Sequence, residues 1–192
     1  MRLIFISLLT LTLASAIGLG TTWVTSTRGA SFGAITIGAW TARPKTGTAD
    51  IDPYSRATIA RNGELPVGTG DGVAFSATAD DKGRPLDGRC DVSVSGLTPA
   101  ARFWTLTLYD PQGQLVSNSL QRYGFTSQEI VRNGDGSFEI RIAARARAGN
   151  WLPTAALERY TLLMRLYDTP VGVATRMQRD AAMPSITTLG CP

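Results

Sequence analysis

The sequence predicts a mainly β protein: an antiparallel β-sandwich or jelly-roll-like domain with one short helix, behind an N-terminal transmembrane or signal helix. Three observations carry this. From Val73 onward, segment after segment alternates apolar and polar residues with period two, the spacing that gives a strand one buried face. Turn signals built from Asp, Asn, Pro and Gly separate those segments at short intervals, the rhythm of an all-β domain. At the other end, no charged residue stands between Arg2 and Arg28.

Residues 3–24 of "MRLIFISLLTLTLASAIGLGTTWV" are polar only at Ser and Thr, whose hydroxyls can bond back to helical carbonyls. As a helix this run reaches roughly 33 Å, enough for a bilayer core. Trp23 sits where an interfacial aromatic belongs. The retained-anchor reading gives a single-pass membrane protein, with the rest of the chain outside the cytoplasm. The alternative is a signal peptide cleaved at Ala16 of Ala14-Ser15-Ala16, which releases a secreted or periplasmic protein with an apolar new N-terminus. No Cys follows the run, so the lipoprotein route is closed.

Residues 29–51 read as a linker between the helix of residues 1–28 and a domain over 52–192, with "GAITIGAW" as one short strand. "DPYSRATIARNG" reads as a helix: Asp52 caps it, Pro53 suits its first turn, and Gly63 follows its end. Ala57, Ile59 and Ala60 are its candidate buried face. "GTGDG" at 68–72 lacks the Lys-Ser/Thr of a phosphate loop and reads as a turn. Strands follow in "VAFSATAD", "CDVSVSGL" and "RFWTLTLYD". In the last, Trp104, Leu106 and Leu108 face the core, opposite Phe103, Thr105, Thr107 and Tyr109. "DDKGRP" and "DPQG" are turns. "SQEIVRNGDGSFEIRIAA" reads as two strands across "NGDG". "RYTLLMRLYD" is a strong strand, and "PSITTLG" an edge strand.

Composition narrows the chemistry. The chain has no histidine and two cysteines among 192 residues, so a Ser–His–Asp triad, a His-ligated metal and a Cys-rich metal site are all excluded within it. No calcium loop occurs, and neither a metal nor a cofactor is expected. The net charge of +4 includes Arg2 and Arg28 at the ends of the apolar run. The remaining charges are interspersed, without the basic stripe of a nucleic-acid binder. Arg141, Arg145 and Arg147 read as a solvated strand and loop face. In an oxidising compartment two cysteines predict one bridge, Cys90–Cys191.

The motifs "FWTLTLYDPQGQLVSNSLQRYG", "DGSFEIRIA", "AGNWLPT" and "YTLLMRLYD", in this order over residues 72–170, resemble the family of proteins of unknown function numbered 1214. Larger members carry a preceding partner domain, numbered 1254, and the pair forms β-rich, jelly-roll-like modules. This chain has the apolar run and the "DPYSRATIARNG" helix in that place, so a site between the two domains is not inherited. The resemblance implies an anchored envelope protein of the Gram-negative kind and carries no reaction with it.

Ligand-binding candidates are side chains with several donors gathered in turns. Asn118, Arg122 and Tyr123 of "VSNSLQRYG" are expected opposite Asn150 and Trp151 of "AGNWLPT", at one end of the sandwich. Such a set suits a glycan, a carboxylate-bearing small ligand or an envelope protein. The plainer reading makes Trp151 a plug over the core and Asn150 a backbone clamp. Two function classes follow: a non-catalytic binding or structural module of the envelope, or an acidic-residue hydrolase drawing on Asp110, Glu129, Asp135, Glu139, Glu158 or Asp168.

Overall fold

The computed structural model describes residues 2–28, 33–62, 66–68, 70–170 and 182–191. They form two compact units, one of two helices and one of strands.

In the helical unit, α1 (Arg2–Arg28) is long and apolar enough to cross a membrane, with a mean hydropathy of 2.2 in an 18-residue window within Arg2–Thr25. Its hydroxyls are absorbed as its sequence requires: Thr12 donates to the Leu8 carbonyl at 2.8 Å and Thr22 to that of Gly18 at 2.8 Å. α2 (Pro53–Asn62) is capped by Asp52, whose Oδ1 accepts from the amides of Tyr54 at 3.1 Å and Ser55 at 2.9 Å. Its inward side corrects the sequence reading. Ser55 is buried and Thr58 and Ile59 half-buried, while Ala57 and Ala60 are exposed. Gly63 lies outside the described residues.

In the other unit, "GAITIGAW" is a hairpin rather than one strand. β1 (Ile35–Ile37) turns through Gly38, at φ 56°, into β2 (Trp40–Ala42). β2 then pairs with β3 (Gly72–Ala77), so part of the stretch read as linker belongs to a sheet. The Trp40 indole seals the hairpin by donating to the Pro184 carbonyl at 2.7 Å.

The remaining strands are β4 (Asp91–Gly96), β5 (Phe103–Tyr109), β6 (Gly124–Thr126), β7 (Phe138–Ala143), β8 (Asn150–Pro153), β9 (Thr161–Tyr167) and β10 (Ser185–Gly190). Six form one sheet in the order β1-β2-β3-β9-β5-β6, and four form a second in the order β10-β4-β7-β8. Inward rows from both sheets share one core. Trp104, Leu106 and Leu108 of β5 are buried as their alternation demands, and the Trp104 ring meets Phe138 of β7 at 5.1 Å. Truncating such a side chain to Ala costs about 3–5 kcal/mol.

Two features depart from the antiparallel expectation. β8 runs parallel to β7, with Ile140 opposite Asn150 and Ile142 opposite Leu152, so the smaller sheet is mixed. Residues 128–132 form no strand, and Arg132 only bridges Phe138 across the Asn133–Gly136 turn. The Asp135 carboxylate takes the Ser137 amide and hydroxyl there, which tightens the turn and leaves no room for a regular ladder.

The β10 edge is closed by the turn after β3. Asp81 Oδ2 accepts the Ile186 amide at 2.9 Å, and the Asp81 amide donates back to the Ile186 carbonyl at 2.9 Å. Asp80 takes the Thr188 hydroxyl at 2.8 Å, while Arg84 Nη2 donates to the Thr188 carbonyl at 3.2 Å. These side chains occupy the groups an added strand would use. One step further on, Cys191 is bonded to Cys90 at the start of β4, the pairing expected from composition.

Candidate functional site

The turn after β5 brings the chain to the first candidate loop. Asp110 Oδ1 accepts the amides of Gln112 and Gln114, and Gly113 closes the turn at φ 76°. The chain then reaches Asn118, whose amide is wholly occupied locally. Its Nδ2 donates to the carbonyls of Val116 at 3.1 Å and Arg122 at 2.9 Å, and its Oδ1 accepts the amides of Leu120 at 3.2 Å and Arg122 at 3.1 Å. This clamp holds Gln121 in the left-handed region at φ 50°. Asn118 shapes the loop and has no donor left for a ligand.

Asn150 receives a similar correction. It is 7% exposed at the start of β8. Its Nδ2 donates to the carbonyls of Val131 at 2.9 Å and Glu139 at 2.9 Å, and its Oδ1 accepts the Val131 amide at 2.8 Å. It ties the irregular 128–132 segment to β7, as the plainer reading expected of it.

Trp151 is not a core plug. Alternation along β8 sends Leu152 into the core and leaves Trp151 half-buried on the outer side, its indole donating to the Ala143 carbonyl at 3.0 Å. The Trp151 carbonyl accepts from Arg122 Nη1 at 3.0 Å. The two candidate loops, 29 residues apart in sequence, therefore meet across the neighbouring edges β6 and β8. The same guanidinium lies 5.5 Å from the Phe125 ring centre, which fixes its plane.

Beside this junction is an open groove of about 440 Å3, lined by Leu120, Gln121, Arg122, Tyr123, Gly124, Phe125 and Glu129. Gly124 is required at its floor, because a Cβ there would collide with the Leu106 carbonyl oxygen as β6 pairs with β5. Glu129 accepts the Thr126 hydroxyl at 3.0 Å and so presents its carboxylate at the rim. Gln121 and Glu129 were not assigned to the site from sequence. The left-handed Gln121 leaves no sequence signal, and in the sequence Glu129 is a candidate only as a catalytic acid.

The carboxylates do not assemble a hydrolytic pair from the two strand-end aspartates. Tyr109 pairs with Thr161 at one end of the β5–β9 ladder and Phe103 with Tyr167 at the other, so Asp110 and Asp168 stand at opposite ends. Each lies one residue beyond its end of the ladder, so at about 3.3 Å per residue they are about 26 Å apart, beyond the 5–9.5 Å that acid pairs use. Glu139 bonds the buried Ser93 hydroxyl at 2.7 Å and Arg141 at 2.7 Å, and Arg147 pairs with Asp91 at 2.6 Å. No group of three or more potential metal ligands occurs among the described residues.

The profile of the family described as "Protein of unknown function (DUF1214)" matches residues 71–171. Among solved structures, the VPA0106 protein from Vibrio parahaemolyticus is similar, with a TM-score of 0.60 at 19% identity over 93% of this chain and 44% of that one. An uncharacterised protein from Burkholderia cenocepacia aligns at a TM-score of 0.44 and 19% identity, over 92% of this chain and 52% of its own. The chain thus spans about half the length of these structures, and the first of them shares its fold. No curated protein matches the chain.

Proposed function

Since the chain belongs to the DUF1214 family, we propose that it is a membrane-anchored envelope protein whose β unit binds a small polar ligand without transforming it. One observation carries this reading: the Arg122–Trp151 bond joins two loops beside a groove whose rim offers a guanidinium, a phenol, an amide and a carboxylate. A volume of about 440 Å3 suits a sugar or a small carboxylate-bearing molecule, and planar donors with mixed charge suit hydroxyls and carboxylates. The Cys90–Cys191 bond supports an oxidising compartment, and α1 supports a retained single span into it from the inner membrane.

Titration of the detergent-solubilised full chain with cell-wall glycan fragments and small sugar acids, read by calorimetry and by product analysis, tests the reading. Saturable binding without turnover is expected. Arg122→Ala and Tyr123→Phe should each weaken it at least tenfold, about 1.4 kcal/mol, with little change in melting temperature. Turnover by the wild-type protein overturns the non-catalytic assignment. Binding unchanged in both variants moves the site elsewhere. Mass spectrometry of the mature chain decides the anchor, because an N-terminus at Ile17 makes the protein a released one.

A further inference from the structure

We propose that α2 is a second membrane-contacting element, an interfacial helix whose outer face binds the phosphate groups of anionic lipids beside the Trp23 end of α1. The inference rests on the reading of α1 as a retained span and adds a partner for the helix that follows it.

The argument starts from the packing of the helical unit. Trp23 lies in the last turn of the candidate span and is 65% exposed, where an indole sits at headgroup level. The Arg61 guanidinium lies over that ring, 5.2 Å from its centre. This contact holds the C-terminal turn of α2 at the depth that Trp23 marks.

Helical rotation then sorts the α2 side chains. At about 100° per residue, Ser55, Thr58 and Ile59 fall on one arc, the side that is buried or half-buried. The opposite arc carries Pro53, Tyr54, Arg56, Ala57, Ala60 and Arg61. It holds two guanidiniums and a phenol, with only Ala and Pro between them and no acid. The acid nearest in sequence, Asp52, spends Oδ1 on the helix's own amides. Arg56 donates to the Ala49 carbonyl at 3.2 Å, and neither arginine enters an ion pair among the described residues.

Small side chains between two long cationic ones let a helix lie flat on a headgroup layer while the guanidiniums reach phosphates bidentately. So few apolar residues would not hold a free helix on a bilayer. Tethered beside the end of α1, α2 meets the surface at high effective concentration, and charge complementarity is enough.

The test is hydrogen–deuterium exchange of the full chain in nanodiscs of phosphatidylcholine alone or with phosphatidylglycerol. The expected result is at least fivefold slower exchange across α2 in the anionic discs, lost in the Arg56→Ala/Arg61→Ala variant and kept in Arg56→Lys/Arg61→Lys. Ala57→Glu leaves both arginines and the helix propensity in place and should also lose the protection, which separates lipid contact from a helix that no longer folds. Equal exchange in both discs overturns the proposal, as does anionic protection that survives Ala57→Glu. Protection produced in phosphatidylcholine discs by inorganic phosphate alone would make α2 a free-anion site and overturn the lipid assignment. Alkaline carbonate extraction runs beside it. A chain that washes from the membrane overturns the anchoring reading itself, whereas a resistant chain with no lipid dependence overturns only the role of α2.

Discussion

Replacing Asp80 should loosen the smaller sheet from its edge inward. Its carboxylate is 2% exposed and gathers the Lys82 amide at 3.0 Å, the Arg84 amide at 2.9 Å, Arg84 Nε at 2.8 Å and the Thr188 hydroxyl at 2.8 Å. Removing one partner of a buried ion pair costs about 3–5 kcal/mol. The low end applies to Asp80→Ala, because the Arg84 side chain is 49% exposed and regains water when its partner is lost. Asp80→Asn keeps the shape and an acceptor oxygen but loses the charge, so about 1–2 kcal/mol is expected. Burial works to raise the Asp80 pKa. The Arg84 amide, the Thr188 hydroxyl, the Arg84 guanidinium and the Lys82 amide outweigh it and hold the carboxyl well below the usual carboxylate range. A native pKa depressed below the unfolded value near 3.9 adds stability that is complete above about pH 4 and is lost as the pH falls through the native value. Urea titrations of the wild type and Asp80→Asn, followed by near-ultraviolet circular dichroism, should therefore differ by a constant above pH 4 and converge below it. A gap that stays unchanged down to pH 2, or an Asp80→Ala variant within 0.5 kcal/mol of wild type (about the scatter of ordinary surface substitutions), would refute the reasoning.

Two further outcomes concern the covalent bond and the core. Reducing Cys90–Cys191 opens a loop of 101 residues, and chain entropy sets the loss at up to about 4.7 kcal/mol, read as a lower urea midpoint in reductant and equally in Cys191→Ser. An unchanged midpoint removes the bond from the stability of the fold. The Tyr160 ring is 2% exposed and its hydroxyl has no hydrogen-bond partner among the described residues; burial, and then the Asp87 charge, push its pKa far up. Tyr160→Phe should be neutral or stabilising by up to about 1 kcal/mol, and a loss of 2 kcal/mol or more would show a bond to that oxygen.

Long alternating segments were legible in the sequence, and short or paired-at-a-distance ones were not. β5 follows its period-two row residue by residue, because seven residues sample the alternation several times. β1 and β2 are three residues each, too short to show a period, so the hairpin resembles a single short strand within a linker. "AGNWLPT" reads as a loop in sequence, since Pro153 and a lone tryptophan carry no strand signal. Its β8 geometry comes from the parallel ladder to β7, with Gly149 at φ 80° re-aiming the chain just before it. Small size alone points Ala57 and Ala60 inward, whereas burial falls on Ser55, Thr58 and Ile59. The candidate site was half legible. Loop composition located Arg122, Tyr123 and Trp151, but it could not tell an Asn with free donors from Asn118 and Asn150, whose amides are consumed by backbone at positions the fold defines.

The ladder register also dictates when this protein can fold. β3 pairs with β9, Gly72 opposite Tyr167, and β4 pairs with β10, Ser95 opposite Ser185. Each sheet is sewn together by strands separated by some ninety residues, so neither closes until the final fifth of this chain is present. Loop-closure entropy is met before either of these two ladders forms, which places the β unit among the slow, high-contact-order folders with rates on the scale of milliseconds to seconds. A chain made residue by residue therefore holds one edge each of β3, β4 and β5 open for the whole interval. Its vulnerability to proteases and to self-association is concentrated in that window rather than in the finished structure.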